Sequence, residues 1–222
     1  MPNHKALAAV FDLLALLGAF WATWSLRFFG VPQIGTVSMT ATCLVGLIII
    51  RRRGVTWEEV GLKRPGRRDI SLAFEAAGVI GVAFLVTPAL TWLLGPLSPS
   101  PAIEQQPLSL LGFFIDIIVF TWLGAALAEE FAFRGVILHR LRALFGSGRT
   151  SDLLAVGAQA VWFGLGHASQ GAAGIALTGL IGFGLALFFL WRAERSLTPL
   201  ILAHAAVNTI VLTINYFARS QT

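Results

Sequence analysis

Long apolar runs, separated by short polar or Gly/Pro-rich connections, dominate the pattern of this chain. A helix needs about 20 mainly apolar residues to cross a bilayer, and seven segments reach or approach that length. They predict an all-α, polytopic transmembrane bundle with about seven spanning helices, built as a single integral membrane domain over residues 1–222. The predicted spans are residues 6–26, 34–50, 71–94, 109–130, 153–170, 172–191 and 197–217.

Glycine and proline mark the connections between these spans. Gly30 and Pro32 separate the first two, and residues 95–107 form a Pro- and Ser-rich loop. Gly171 divides the nearly continuous apolar stretch 153–191, so the boundary between the fifth and sixth spans is the one that the pattern defines least. The glycines of the sixth span predict close helix packing through small residues.

The first apolar stretch, residues 6–26, follows a short polar start that resembles the beginning of a signal peptide. It contains no clean small-x-small cleavage site ahead of polar sequence. We therefore interpret it as the first spanning helix, with a cleaved signal as the alternative.

Composition agrees with a membrane protein, since only 12% of the residues are charged whereas soluble domains carry about a quarter. The formal net charge of +5 is typical either of nucleic-acid binding or of basic cytoplasmic loops facing anionic lipid. The distribution of the basic residues favours the second interpretation, with membrane lipid as a partner and no nucleic acid. The single cysteine, Cys43, lies in an apolar run and excludes both a disulfide framework and a cysteine-based zinc site.

Fourteen of the 16 Lys and Arg residues fall at one end of the predicted bundle, which leaves Arg27 and Arg219 at the other. The positive-inside rule then predicts a cytoplasmic N-terminus and an outside C-terminus in the plasma (cell inner) membrane. The fourteen are Lys5, Arg51, Arg52, Arg53, Lys63, Arg64, Arg67, Arg68, Arg134, Arg140, Arg142, Arg149, Arg192 and Arg195.

The basic segment 51–69 contains Trp57, Val60 and Leu62 among its charges. This mixture is typical of a short interfacial stretch with Trp at headgroup level. A solvated basic loop is an equally good interpretation of the same residues.

Ionisable side chains within spans are costly and by default indicate a functional site. Asp12 and Glu75 lie within about two turns of the basic end, where snorkelling lowers that cost, so we expect structural roles for both. Asp116 lies deeper, on the other side of the bilayer, and has no obvious partner in the sequence.

Two adjacent carboxylates, Glu129 and Glu130, stand near the end of the fourth span. Arg134 follows Glu130 by four residues on the same helix face, so an ion pair between them is expected. Glu129 points about 100° away and is left free for another role. The alternative is a helix end that emerges into the cytosol, with all three side chains solvated.

Two further pairs are spaced by one helical turn. Phe163 precedes His167 by four residues, and His204 precedes Asn208 by four on the seventh span. Together with Glu129 these residues supply a general base, an orienting group and hydrogen-bond donors, the parts that activate water against a carbonyl.

These residues form three motifs that resemble a known family. Residues 129–134 match Glu-Glu-x-x-x-Arg, residues 163–167 match Phe-x-x-x-His, and residues 204–208 match His-x-x-x-Asn. The three in this order, on separate apolar helices, resemble the CAAX-protease and bacteriocin-processing (CPBP) family, which is similar to the type II CAAX prenyl endopeptidases. The resemblance defines a family-like catalytic core of about residues 110–215.

The resemblance implies an intramembrane endopeptidase of the glutamate type. By the matching positions, Glu129 would be the general base that activates a water, assisted by His167. His204 and Asn208 would form the oxyanion hole for the tetrahedral intermediate. The substrate would be a membrane-associated peptide or protein, prenylated or not.

The resemblance also implies supporting roles for Glu130 and Arg134, which would hold the geometry of the first motif. A metal-free mechanism, without a cofactor, is favoured. A zinc-dependent version of the same peptidase is the alternative, with Glu129, His167 and His204 as ligands. The chain has no His-Glu-x-x-His helix of the usual zinc-protease kind.

Two other classes compete with a peptidase. A non-catalytic bacteriocin-immunity or adaptor protein would keep the pocket to hold a partner, and a transporter would use the acids and histidines as a proton relay. Internal repeats, which many transporters show, are not evident in the sequence.

Counting residues along the spans places His167 much deeper than Glu129. A shared site therefore requires the fifth helix to begin below the membrane and residues 134–150 to form a hairpin that protrudes into the cytosol. The site is then expected to be a wet cavity open to the cytosol.

Overall fold

A computed structural model describes residues 4–31, 34–99, 109–146 and 148–219, and within these residues all regular structure is helical. Helix α1 continues into a 3₁₀ turn, Ser25–Phe29, and a second such turn, Ala168–Gln170, joins α6 to α7. The helices are α1 His4–Trp24, α2 Ile34–Arg53, α3 Arg67–Leu85, α4 Thr87–Leu94, α5 Leu110–Phe145, α6 Arg149–Leu165, α7 Gly171–Trp191 and α8 Thr198–Arg219.

Six stretches of the described chain are long and apolar enough to cross a membrane. They contain α1, α2, α3 together with α4, α5, α7 and α8. The predicted fifth span, residues 153–170, coincides instead with α6, whose 17 residues fall short of a full crossing. The all-α polytopic bundle is confirmed, and the chain is a multi-pass membrane protein.

The helices pack mainly with their neighbours in the chain. Helix α1 runs along α2, α6 runs along α7, and α8 packs against both α3 and α5. Because the helices alternate in direction, loops 54–66 and 192–197 meet at one end of the bundle, called here the basic end. Residues 30–31, 95–99 and 166–170 lie at the opposite end, called the far end.

Ion pairs tie the helices together at the basic end. Asp12 on α1 accepts hydrogen bonds from Arg53 on α2 (2.9 Å between Asp12 Oδ1 and Arg53 Nη2) and from Arg140 on α5 (3.4 Å). Glu75 on α3 accepts from Arg192 Nε at 2.7 Å, just beyond α7. Both acids therefore join one helix to the segments packed around it, as their predicted structural roles require.

The loop between α2 and α3 is bound to the bundle rather than extended into solvent. The Thr56 amide and hydroxyl donate to the Glu59 carboxylate and hold its pKa below the ordinary value. Val60 is 1% exposed, and the carbonyl of Gly61 accepts a hydrogen bond from the amide of Leu197 at 2.9 Å. Trp57 on the same loop stays half exposed, so its place at headgroup level is still a prediction.

Glycines allow α6 and α7 to approach closely, as predicted for the sixth span. A Cβ atom on Gly164 would lie 2.6 Å from the backbone oxygen of Ile175 and 3.2 Å from the Cα atom of Gly179. Gly182 faces the side chain of Phe163 in the same way, at 3.0 Å. This contact fixes where the end of α6 lies relative to the rest of the bundle.

Substitution of Gly164 by Ala tests this close approach. The added Cβ atom meets backbone and cannot be accommodated by a side-chain rotation, so we expect a loss of about 1–3 kcal/mol in stability and a lower midpoint of thermal unfolding in detergent. Gly157→Ala on the same helix is the matched control, because a Cβ there has nothing within 4 Å; its midpoint should be unchanged or raised. Equal midpoints for the two variants would contradict the packing.

Candidate active site

Helix α5 carries the first motif and is unusual in its backbone. Hydrogen bonds of the wide i→i+5 kind run from Asp116 to Leu127 and again from Glu130 to Ile137. Such turns are rare and often occur at functional sites. Large apolar side chains are exposed along α5 as far as Leu127, and the next one is Phe145. Glu129 therefore stands where the apolar outer surface of α5 ends.

The predicted contact between Glu130 and Arg134 is present at the centre of the bundle. Arg134 Nη1 donates to Glu130 Oε1 at 3.1 Å, and both side chains are 0% exposed. The same carboxylate oxygen lies 3.0 Å from Nδ1 of His204 on α8. Because a carboxylate oxygen only accepts, His204 carries its proton on Nδ1 and turns Nε2 away from the pair.

Arg134 also connects the first motif to the second. Its guanidinium lies over the ring of Phe163, 4.6 Å from the centroid, which is a cation–π distance. Phe163 packs edge-on against Phe133 at 4.9 Å and lies 4.8 Å from His167, centroid to centroid. The ring of Phe163 is therefore a spacer that sets the distance between α5 and the second motif.

His167 occupies the turn that ends α6 and not a helix interior. Helix α6 stops at Leu165, and the Nδ1 atom of His167 lies 2.9 Å from the carbonyl oxygen of Phe163. A carbonyl accepts, so Nδ1 carries the proton and Nε2 is free to meet another group. A backbone contact thus orients the imidazole without using a second side chain.

The four residues that the sequence proposes for catalysis line one cavity of about 810 Å³. Glu129 enters it from α5, His167 from the turn after α6, and His204 and Asn208 from α8. Glu129 forms no hydrogen bond or ion pair with any other side chain in the described ranges. It is therefore the free carboxylate of the adjacent pair, whereas Oε1 of Glu130 contacts both Arg134 and His204.

The cavity extends to the far end of the bundle. Loop residues from the far end contribute to its wall, and no residue of loops 54–66 or 192–197 does so. The expectation that the site opens at the basic end is therefore wrong. The residues from the far-end loops that line it are Val31, Leu97, Ser98, Pro99, Gly166, His167, Ser169 and Gln170.

The short α6 is the physical reason for this difference. Because α6 ends at Leu165, His167 lies at the far end, where Ser98 donates its amide proton to the carbonyl of Gln170. Glu129 and His167 nevertheless line the same cavity. The predicted protrusion of residues 134–150 is wrong for their first part, because residues 134–138 are buried in the core of the bundle.

Asp116 also lines this cavity, which the sequence did not indicate. It is 6% exposed. At 3.6 residues per turn, the step of thirteen positions from Asp116 to Glu129 would place the two side chains about 140° apart, on nearly opposite faces. The i→i+5 turns take more residues each and so rotate Asp116 towards the cavity. The sequence would have predicted that Asp116 faces the cavity only if i→i+5 turns had been expected within residues 116–127.

The donor set does not fit a metal site as the structure places it. No group of three or more His, Cys, Asp or Glu side chains among the described residues is arranged to hold a metal ion. Glu129, His167 and His204 line a common cavity without being gathered around one point.

Removal of Arg134 tests the importance of the buried ion pair. Arg134→Met leaves the Glu130 carboxylate buried beside His204 alone, so we expect a loss of about 3–5 kcal/mol in stability, read from thermal unfolding in detergent. Glu130→Gln combined with Arg134→Met should recover part of the loss, because no uncompensated charge remains. Arg68→Met, which breaks the exposed Arg68–Glu194 pair, is the control and should cost less than about 1 kcal/mol. Equal losses from Arg68→Met and Arg134→Met would contradict the interpretation.

Comparison with known proteins finds one family model that is similar to part of the chain. Residues 111–210, somewhat less than half of the chain, match the family model described as Rce1-like, type II CAAX prenyl endopeptidase Rce1-like. No curated protein and no solved structure matches. The matched range contains all three motifs. The match agrees with the resemblance to the CPBP family and supports a CAAX-type intramembrane protease in general.

Proposed function

We propose that the chain is an intramembrane endopeptidase that hydrolyses a peptide bond of a membrane-associated substrate by means of a water activated by Glu129. One observation carries the proposal: Glu129, His167, His204 and Asn208 line the same cavity, and Glu129 has no partner among the described side chains. An unpaired carboxylate in a lined cavity, next to histidines with a free ring nitrogen, has the composition of a general-base site.

The chemistry requires one proton acceptor and one polarised carbonyl. Glu129 accepts a proton from water, and the hydroxide attacks the carbonyl carbon of the bound peptide to give a tetrahedral intermediate. His167, whose Nε2 is free, assists by holding the water or the leaving amine. The amine leaves when the C–N bond breaks and takes up the proton that Glu129 received.

His204 and Asn208 are suited to stabilise the negative oxygen of that intermediate. The Asn208 amide group is a neutral donor. His204 donates Nδ1–H to Glu130, and the Glu130 carboxylate stabilises the imidazolium form of the ring. In that form Nε2 also carries a proton and donates it in a hydrogen bond to the oxyanion. Glu130 and Arg134 thus act on the oxyanion through His204, which is a positioning role.

We further propose the orientation that the basic residues indicate, with the N-terminus in the cytoplasm and the C-terminus outside the plasma membrane. Fourteen of the 16 Lys and Arg residues support it. Under this orientation the far end of the cavity faces outward. The substrate, a peptide or protein that is prenylated or not, then enters from the outer side or from the lipid.

The zinc-dependent version is the alternative, and the orientation of the two imidazoles is compatible with it. In both histidines an oxygen engages Nδ1 and leaves Nε2 free, as is usual for histidines that bind metals. Against it stands the absence of a gathered donor group in the described chain. A chelator separates the two candidates.

The proposal is tested with a fluorogenic peptide library and purified protein in detergent. Glu129→Gln should abolish turnover, and His204→Ala should lower it by on the order of a hundredfold, as for other oxyanion donors. Asp152→Asn is the control, because Asp152 pairs with Arg142 at the basic end and does not line the cavity. Each protein is assayed with and without chelator.

Two outcomes would change the proposal. Equal turnover by the wild type and by both cavity variants would place the activity elsewhere, and no cleavage at all would favour the binding or transport alternatives. Loss of wild-type activity with chelator, restored by Zn²⁺, would establish the zinc-dependent version.

The orientation has its own test by labelling in intact cells. In a Cys43→Ala background, Ser98→Cys at the far end should react with a membrane-impermeant maleimide, and Glu58→Cys at the basic end should react only after the cells are opened. Both positions are exposed in the structure. The reverse pattern would invert the topology.

A further inference from the structure

The Asp116 carboxylate is a buried acid that the reaction above does not use. Its side chain is 6% exposed, lines the cavity, and its Oδ2 atom has no hydrogen-bond partner in the described parts of the chain. A carboxylate that is withdrawn from water without a partner costs several kcal/mol. Such a residue in a spanning helix indicates a functional site, in which a bound ligand supplies the partner.

The cavity provides no cation for Asp116 in this arrangement. Of the lysine and arginine residues in the described chain, only Arg27 lines the cavity. Its guanidinium lies against aromatic rings of its own segment, 4.7 Å from the centroid of Phe28 and 5.5 Å from that of Trp24. No ion pair joins Arg27 to Asp116 among the described residues. A carboxylate only accepts hydrogen bonds, so its natural partner is a donor and most favourably a cation.

Distance along α5 places Asp116 well away from the reacting bond. Thirteen residues separate it from Glu129, which corresponds to roughly 20 Å in an ordinary helix and to less where i→i+5 turns shorten it. An extended peptide rises about 3.3 Å per residue. The span from Glu129 to Asp116 therefore accommodates about five or six residues of an extended substrate.

We propose that Asp116 is a substrate subsite that binds an ammonium or guanidinium group carried about five or six residues from the bond that is cut. The inference rests on the proposed function and adds a specificity to it. The long cavity holds the substrate in an extended form, with the scissile carbonyl beside Glu129 and the cationic group at Asp116. The substrate cation completes the pairing that the protein leaves open.

The experiment uses a set of N-acetylated peptides with one apolar sequence. A single lysine occupies each position in turn, and norleucine, which has no charge, replaces it in the reference peptide. Cleavage products are identified by mass spectrometry. If Asp116 anchors the lysine, the cut bond moves by one residue when the lysine moves by one, and the best lysine peptide exceeds the norleucine peptide by about tenfold or more in kcat/KM.

Three variants make the assignment specific. Asp116→Asn should still cleave the peptides but should lose both the lysine preference and the shift of the cut bond. Asp116→Lys should prefer glutamate at the position where the wild type prefers lysine. Asp152→Asn, the acid outside the cavity, should behave as the wild type does. Helix content from circular dichroism and a single size-exclusion peak show that each variant is folded.

A binding measurement separates this inference from the proposed function. Fluorescein-labelled lysine and norleucine peptides are titrated into Glu129→Gln and into Glu129→Gln combined with Asp116→Asn, with fluorescence anisotropy as the readout. Tighter binding of the lysine peptide to the first protein alone supports the subsite, even if the wild type cleaves nothing and the proposed function fails.

Equal binding of the two peptides, or a lysine preference that survives Asp116→Asn, would overturn the subsite, even if Glu129-dependent cleavage is observed. A companion peptide with a free N-terminus and no lysine distinguishes a terminal ammonium from a side-chain cation. If it alone shows the Asp116-dependent preference, the subsite recognises a peptide N-terminus.

Discussion

The buried ion pair of Glu130 and Arg134 is the interaction on which the arrangement of the site depends. Its two side chains are removed from solvent, its carboxylate also holds His204 on α8, and its guanidinium lies over Phe163 at the end of α6. One pair thus fixes the positions of α5, α6 and α8 relative to each other. Since a charge without its partner is strongly unfavourable in such surroundings, these three helices are constrained to one arrangement.

The two adjacent glutamates differ in their contacts as a result of this constraint. Glu130 binds Arg134 and His204 through Oε1, whereas Glu129, one residue earlier and on another face of α5, is left unpaired in the cavity. The histidines are held in a similar way, with one ring nitrogen of each engaged by an oxygen acceptor and the other free. The two imidazoles are therefore oriented by contacts with the Phe163 carbonyl and the Glu130 carboxylate.

Length and polarity distinguish this cavity from an ordinary packing defect in a helix bundle. It runs from Glu129 to the far-end loops and contains acidic, basic and amide groups within a mainly apolar wall. A transmembrane bundle can contain such groups only where they are paired or where a cavity admits water or substrate. Asp116 is a cavity-lining acid that neither the pairing nor the proposed reaction accounts for, which is the basis for proposing it as a second contact with the substrate.

The sequence by itself determined the helical membrane fold, the basic end and four residues that line one cavity. Hydropathy gives spans because the bilayer imposes a fixed length, and the i,i+4 spacing gave the Glu130–Arg134 pair because that spacing follows from helix geometry. The three motifs indicated the family that residues 111–210 match. Their catalytic roles stay proposals.

Only the tertiary structure decided how long α6 is, where the cavity leads and which face of α5 Asp116 occupies. Hydropathy cannot show that α6 ends at Leu165, because the apolar sequence continues past it into α7. It cannot show i→i+5 turns either, since they depend on packing and leave no periodic signal. A site at the ends and irregular turns of helices depends on contacts between distant segments, and those exist only in the folded chain.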